Sequence, residues 1–389
     1  MNSSIFYKEI YRGCFQLKKI RVLSIFGTRP EATKMVPPIK ALAANSAVES
    51  LVCVTAQHRE LLDDVLTLFD VVPDYDLDLM KDRQNLTEFT AGALVGLGEV
   101  IQKAKPDWVM VHGDTATTLA ASMAAFYNKV RVAHVEAGLR SYDKYQPFPE
   151  EINRKITTAI ADLHFAPTEL SKERLVKENV PENSIVVTGN TAIDIMAHTV
   201  KKDYHFQEPA ISHLENANNK RVILMTAHRR ENWGVPLENI CRGVKRMVDD
   251  FEDVILVYPV HPNPVVKETV ENLLSGHDRI ILTSPINIFD MHNLMNRSYL
   301  VLTDSGGLQE EAPALDKPVV VLREVTERPE GEIAGTLVLA GTDEQRIYDN
   351  LYSLLTDKEK YQRMAQAPNP FGDGKASERI VEAMVAIND

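Results

Sequence analysis

Cysteine is scarce: Cys14, Cys53 and Cys241 are the whole supply in 389 residues, too far apart for a metal spacing or a disulfide framework. They read as reduced thiols of a cytoplasmic protein. No apolar run approaches the about 20 residues a membrane helix needs, so no membrane span is expected. Positive charge is short as well. Lys and Arg number 43 against 55 Asp and Glu, a formal net charge of −12, which speaks against nucleic acid or an anionic membrane as partner. No GxGxxG follows the first strand, and GxSxG, HExxH and a close histidine pair on one helix face are all missing. These absences remove the nicotinamide fingerprint, the α/β-hydrolase elbow and the common zinc sites. No cofactor and no metal is expected.

What the chain does contain is an ordinary globular balance, 44% hydrophobic and 25% charged, at a length too great for one hydrophobic core. Residues 1–18 have no long apolar centre and read as an extension before the fold, not as a secretory signal. From residue 19, apolar β-branched runs alternate with amphipathic stretches: 20–26, 50–56, 107–113, 130–135, 163–167 and 184–189 as strands, with helices such as 58–69, 86–104 and 115–127 between them. Strands without polar alternation are buried on both faces, as in a parallel sheet covered by helices. Residues 201–220 are polar, carry Pro209 and keep no period, so they read as a linker. A second strand series follows at 221–227, 253–260, 279–283, 299–304 and 318–322, and a last helix at 375–389. The class is α/β: two Rossmann-like, doubly wound domains, 19–200 and 221–374, facing a cleft. Ligands in such folds lie beyond the carboxyl ends of the strands.

The strand ends are where the polar residues gather. "GTRPEATK" brings Arg29 and Lys34, "GDTATT" brings Asp114, and "HVEAGLRSYDKYQPFPEEINR" brings Glu136, Glu150 and Arg154. In the second series "HRRENWG" brings His228 and Arg229, "HPNP" brings His261, and "DSGGLQEEAP" brings Ser305, Gly306, Gly307 and Glu311, with Arg323 after 318–322. Ser-Gly-Gly before a helix lets a backbone approach a ligand and offers unpaired N–H groups to phosphate, or is simply a tight turn. Asp114 suits a helix cap, and Glu150 and Glu151 suit a first helical turn. Glu136, directly after an apolar strand and before "AGLR", is harder to assign to a structural role and reads as a partly desolvated acid for proton transfer.

These motifs, with "TAQHRELLDDVL", "VTGNTAID", "TERPEGEIAGT" and "NPFGDGKASERI", resemble from about residue 19 to the end the bacterial non-hydrolysing UDP-N-acetylglucosamine 2-epimerases. The resemblance implies a fold of the GT-B type, a homodimer, and reversible conversion of UDP-GlcNAc to UDP-ManNAc without metal or nicotinamide, supplying ManNAc units for surface polysaccharide. It implies catalytic roles for Asp114, Glu136, Glu150, Arg154 and His228. Arg29, Lys34, Ser305, Gly306, Gly307, Glu311 and Arg323 would bind the substrate. It further implies a second, allosteric nucleotide-sugar site at Gln57, Arg83, Arg229 and His261. Glu60 departs from the glutamine that some relatives carry there.

Overall fold

A computed structural model of the chain describes residues 19–56, 59–80, 84–216 and 219–387. By packing, the chain divides into two units. One takes the residues up to Phe165, Glu173–Val186 and the chain from Ser377 onward; the other takes Ala166–Lys172 and Val187–Ala376. Each is built on one sheet.

The first sheet has the strands β1 (Ile20–Phe26), β2 (Val48–Val54), β3 (Tyr75–Asp76), β4 (Trp108–His112), β5 (Arg131–Val135), β6 (Leu163–Ala166) and β7 (Ile185–Val187), in the order β3-β2-β1-β4-β5-β6-β7. The second has β8 (Arg221–Thr226), β9 (Val254–Pro259), β10 (Ile280–Thr283), β11 (Leu300–Thr303), β12 (Val319–Val321) and β13 (Leu337–Leu339), in the order β10-β9-β8-β11-β12-β13. The order reverses direction at β1/β4 and at β8/β11, the switch points where loops diverge and leave room for a ligand. Every strand expected from the apolar runs is present; β3 and β13, two and three residues long, were not expected.

The sheets are covered on both faces, as continuous apolar strands require. In β8, Ile223 and Met225 join one cluster with Leu237, Ile240, Val244 and Met247 of the helix Val235–Asp250, whose apolar residues recur at helical spacing. Val222 and Leu224 join another with Leu294, Met295, Tyr204, Phe206, Ile211 and Leu214. The stretch read as a linker, 201–220, therefore lays four buried side chains on the second sheet and forms a 3₁₀ helix, Pro209–Asn216. The segment is tied down by the Asp290 carboxylate, which accepts from the N–H groups of Gln207 (3.0 Å) and Glu208 (2.9 Å) and from Tyr204 Oη (2.8 Å). Among the described residues no helix is long and apolar enough to cross a membrane.

Candidate active site

In the first unit β4 and β5 run in parallel with His112 opposite Val135. Both strands end in a left-handed residue, Gly113 (φ +67°) and Glu136 (φ +62°). Glycine adopts that conformation freely; for a glutamate it costs on the order of 1 kcal/mol, and such strain gathers at functional positions. The turn brings Glu136 over Gly113, where an added Cβ would stand 3.4 Å from Glu136 Oε2.

Glu136 is only 9% exposed. Lys34 Nζ, from the helix Arg29–Ala44, donates to its Oε1, and His112 Nε2 lies 3.5 Å from its Oε2. Burial lowers the His112 pKa to about 4, an effect that the nearby Glu136 charge only partly offsets. The imidazole is thus neutral at physiological pH, and Lys34 is the cation that balances Glu136. Beside this cluster, Arg154 Nη2 sits 2.5 Å from Asp114 Oδ2 and Asn153 Nδ2 donates to the Asp114 carbonyl at 2.8 Å.

The neighbouring acids Glu150 and Glu151 do different things. Glu151 is fully buried and accepts from the N–H groups of Ser141 (2.9 Å) and Tyr142 (3.2 Å), so it holds the loop. Arg154 Nη1 lies 3.5 Å from Glu151 Oε2, so Arg154 orients Asp114 and supports Glu151. Glu150 Oε2 is buried with no hydrogen-bond partner among the described residues. A carboxylate oxygen withheld from both water and protein has its bonding capacity left for a ligand.

The loops that carry these groups are joined by Glu31. Its Oε2 accepts from Gly27 N–H (3.0 Å), Thr28 N–H (2.9 Å) and Thr28 Oγ1 (2.9 Å), and its Oε1 from Thr115 Oγ1 (2.6 Å) and Thr118 Oγ1 (3.2 Å). Thr28 and Glu31 form the capping box of the helix that carries Lys34. Desolvation raises the Glu31 pKa, and the bonds from Thr115, Gly27 and Thr28 counter it in part. Arg29 opens the same helix as an exposed residue with no side-chain partner among the described residues, available to an anion.

In the second unit the residues gather around Asp304, fully buried at the end of β11. Its Oδ2 accepts from the N–H groups of His228 (2.7 Å) and Arg229 (2.8 Å) and from Asn232 Nδ2 (3.0 Å). Ser305 caps the helix Gly306–Glu311 without a side-chain cap bond, so the first-turn N–H groups stay unspent. A Cβ built on Gly306 would meet Arg328 Nη2 at 3.8 Å and Arg229 Nη2 at 4.0 Å. Two guanidinium groups and a helix N-terminus at one spot suit a diphosphate. Arg328 is aimed by Glu310, which accepts from Arg328 Nε and, at 2.7 Å, from Asn190 Nδ2. Arg323 Nη2 meets Glu231 Oε1 at 3.0 Å while its Nη1 is buried without a hydrogen-bond partner among the described residues. Glu311 Oε2 lies 3.5 Å from His292 Nε2, and the His261 ring stacks on that of His228.

Two residues thus stand with different company from that expected. Lys34, assigned to the nucleotide, is paired with Glu136; Arg229, assigned to a second site, lies beside Gly306. Gln57 and Arg83 lie outside the described residues. Sequence reasoning missed Glu31, His112, Asp304 and Glu310. The spacing Thr28-x-x-Glu31 is a capping-box signal that could have found the first; the partners of the others are distant in the chain and leave no local mark.

Residues 40–385 match the family model described as UDP-N-acetylglucosamine 2-epimerase. The chain belongs to that family. A UDP-N-acetylglucosamine 2-epimerase of Bacillus subtilis is 54% identical over 369 residues, covering 95% of this chain and 96% of its own. A crystal structure of a UDP-N-acetylglucosamine 2-epimerase matches with a TM-score of 0.88 at 52% identity, covering 95% of this chain and 96% of that one. The epimerase of Neisseria meningitidis, solved bound to UDP-GlcNAc, matches with a TM-score of 0.82 at 45% identity, covering 94% of this chain and 100% of that one. Epimerases are isomerases, and the two Rossmann-like sheets found here are shared with these family members.

Proposed function

We propose that the protein interconverts UDP-GlcNAc and UDP-ManNAc by eliminating UDP and adding it back, and so feeds ManNAc units to surface polysaccharide synthesis. The C2 hydrogen has no adjacent carbonyl to acidify it, so a base cannot simply exchange it. In the elimination, a carboxylate takes the proton from C2, the C–H electron pair forms the C1–C2 double bond, and the C1–oxygen bond breaks with its pair going to UDP. The product is 2-acetamidoglucal. Re-addition forms the C1–oxygen bond again while an acid delivers a proton to the opposite face of C2.

The observation that carries this reading is the grouping of Lys34, Glu136 and His112 beside the Asp114–Arg154 pair at the end of β4 and β5. Inversion needs proton donors and acceptors on two faces of one ring, and acids held by different cations can differ in protonation state. Glu150, with its unpartnered oxygen, is the third acid. The helix at Gly306, with Arg229 and Arg328, stabilises the charge that develops on the departing diphosphate. The relative solved with UDP-GlcNAc supports the choice of nucleotide sugar.

The test is incubation with UDP-GlcNAc in deuterated water, without an acceptor. UDP-ManNAc carrying deuterium at C2 is expected. Free ManNAc would instead mean a hydrolysing enzyme, and unchanged, unlabelled substrate would point to a glycosyltransferase on the same fold; either result overturns the reading.

A further inference from the structure

His228 is held through its backbone and one face of its ring. Its N–H donates to Asp304 Oδ2 at 2.7 Å, and its carbonyl accepts from Trp233 Nε1 at 3.2 Å. Its ring lies on that of His261, with centroids 5.4 Å apart and planes 10° from parallel. Its Nδ1 lies 3.4 Å from Asp304 Oδ1. The two oxygens of Asp304 differ sharply. Oδ2 is saturated by three donors, whereas Oδ1 is buried with no hydrogen-bond partner among the described residues. A buried carboxylate oxygen left without a donor is costly, and an Nδ1–H on His228 is the donor within reach.

We infer that Asp304 is a positioning residue for His228, holding its imidazole in the Nδ1–H tautomer so that Nε2 is the nitrogen presented to the leaving diphosphate. The inference rests on the reaction proposed above. As the anionic diphosphate binds, Nε2 takes up a proton from solvent, and in the elimination this imidazolium gives it to the β-phosphate oxygen as that oxygen takes the electron pair of the C1–oxygen bond. The ring ends neutral, with Nδ1–H still on the Asp304 side. In the return step the oxygen bonds to C1 and its proton goes back to Nε2. A buried aspartate behind a histidine supports the imidazolium in this way without taking the proton itself. The charges that act on His228 are Asp304 and Glu231, which favour the cation, and His261 and Arg229, which oppose it; burial opposes it most and sets the net direction, below the ordinary value.

Asp304→Asn tests this directly. The asparagine oxygen can still accept from the N–H groups of His228 and Arg229. That places its NH2 against His228 Nδ1, which must then become an acceptor. Nitrogen-15 NMR of histidine-labelled protein, without substrate, is expected to show the Nδ1–H tautomer of His228 in the parent and the Nε2–H tautomer in the variant. With UDP-GlcNAc, kcat falls at least about tenfold while KM stays within about threefold, and the alkaline limb of the kcat–pH profile moves to lower pH. In a His228→Gln background, Asp304→Asn costs less than about twofold, because the partner it serves is already gone. The Nε2–H tautomer in the parent overturns the inference whether or not the variant folds. So does a full loss in the His228→Gln background, which would make Asp304 only a clamp on the loop backbone. The NMR signal needs no turnover. An inactive parent would overturn the proposed reaction and leave the tautomer result to be judged by itself.

Discussion

Lys34 and Glu136 are 102 residues apart in the chain and form an ion pair at the carboxyl end of β5, with Glu136 almost wholly buried. Removing one partner takes the ion pair from the other. Lys34→Met is expected to cost about 3 kcal/mol, the low end for a broken buried pair because Lys34 is partly open to solvent, as read by urea denaturation. Adding Glu136→Gln to that variant restores most of the stability and none of the epimerisation.

Glu136→Gln alone separates chemistry from binding. The amide keeps the shape but cannot take a proton from C2. Turnover is expected to fall at least about 100-fold, while the affinity for UDP, measured by calorimetry, changes less than about threefold. Near-normal turnover would remove Glu136 from the reaction.

Arg154 is expected to resist its conservative replacement. It reaches Asp114 with one terminal nitrogen and Glu151 with the other. A lysine offers a single point charge and cannot span both carboxylates. Arg154→Lys should lower kcat about tenfold or more, with thermal unfolding shifted by only a few degrees, in a paired assay and melting experiment.

The strands were legible because a sheet covered on both faces demands unbroken apolar runs, such as Trp108–His112 and Val254–Pro259. β3 and β13 are too short to show a pattern. The 201–220 segment misled for a different reason: Tyr204, Phe206, Ile211 and Leu214 pack singly from an irregular backbone, and no period records them. At the site, the rule that chemistry sits at carboxyl ends proposed Asp114, Glu136, His228 and Ser305 by type. It could not find who partners whom. Lys34 looks like any phosphate-binding lysine until the fold sets it on Glu136, and Asp304 reads as the prelude to Ser-Gly-Gly until three donors converge on it.

Acid should weaken the fold well before the carboxylates titrate. Burial lowers the pKa of His112 to about 4 and of His134 to about 3 from an ordinary 6.5. As pH drops below 6.5 the unfolded chain takes up protons that the folded one refuses. Stability is therefore lost from about pH 6.5 down toward 4, at up to about 1.4 kcal/mol per pH unit for each histidine. Melting temperatures measured between pH 7.5 and 4.5 should fall, and His134→Asn should flatten the slope. The Arg140 guanidinium holds Glu178 below the usual carboxylate range, so that pair contributes only above its lowered value and fails at still lower pH.

The helix Ala376–Ala386 buries Ile380 and Met384 completely, and the chain from Ser377 belongs with the first unit although it follows the whole of the second in sequence. A ribosome therefore releases that unit's final piece only after the whole of the second unit has been made. Until then the nascent first sheet waits with an open apolar patch while the second unit is threaded out. Clipping the last dozen or so residues should accordingly leave a protein that sticks to itself, however complete its catalytic loops.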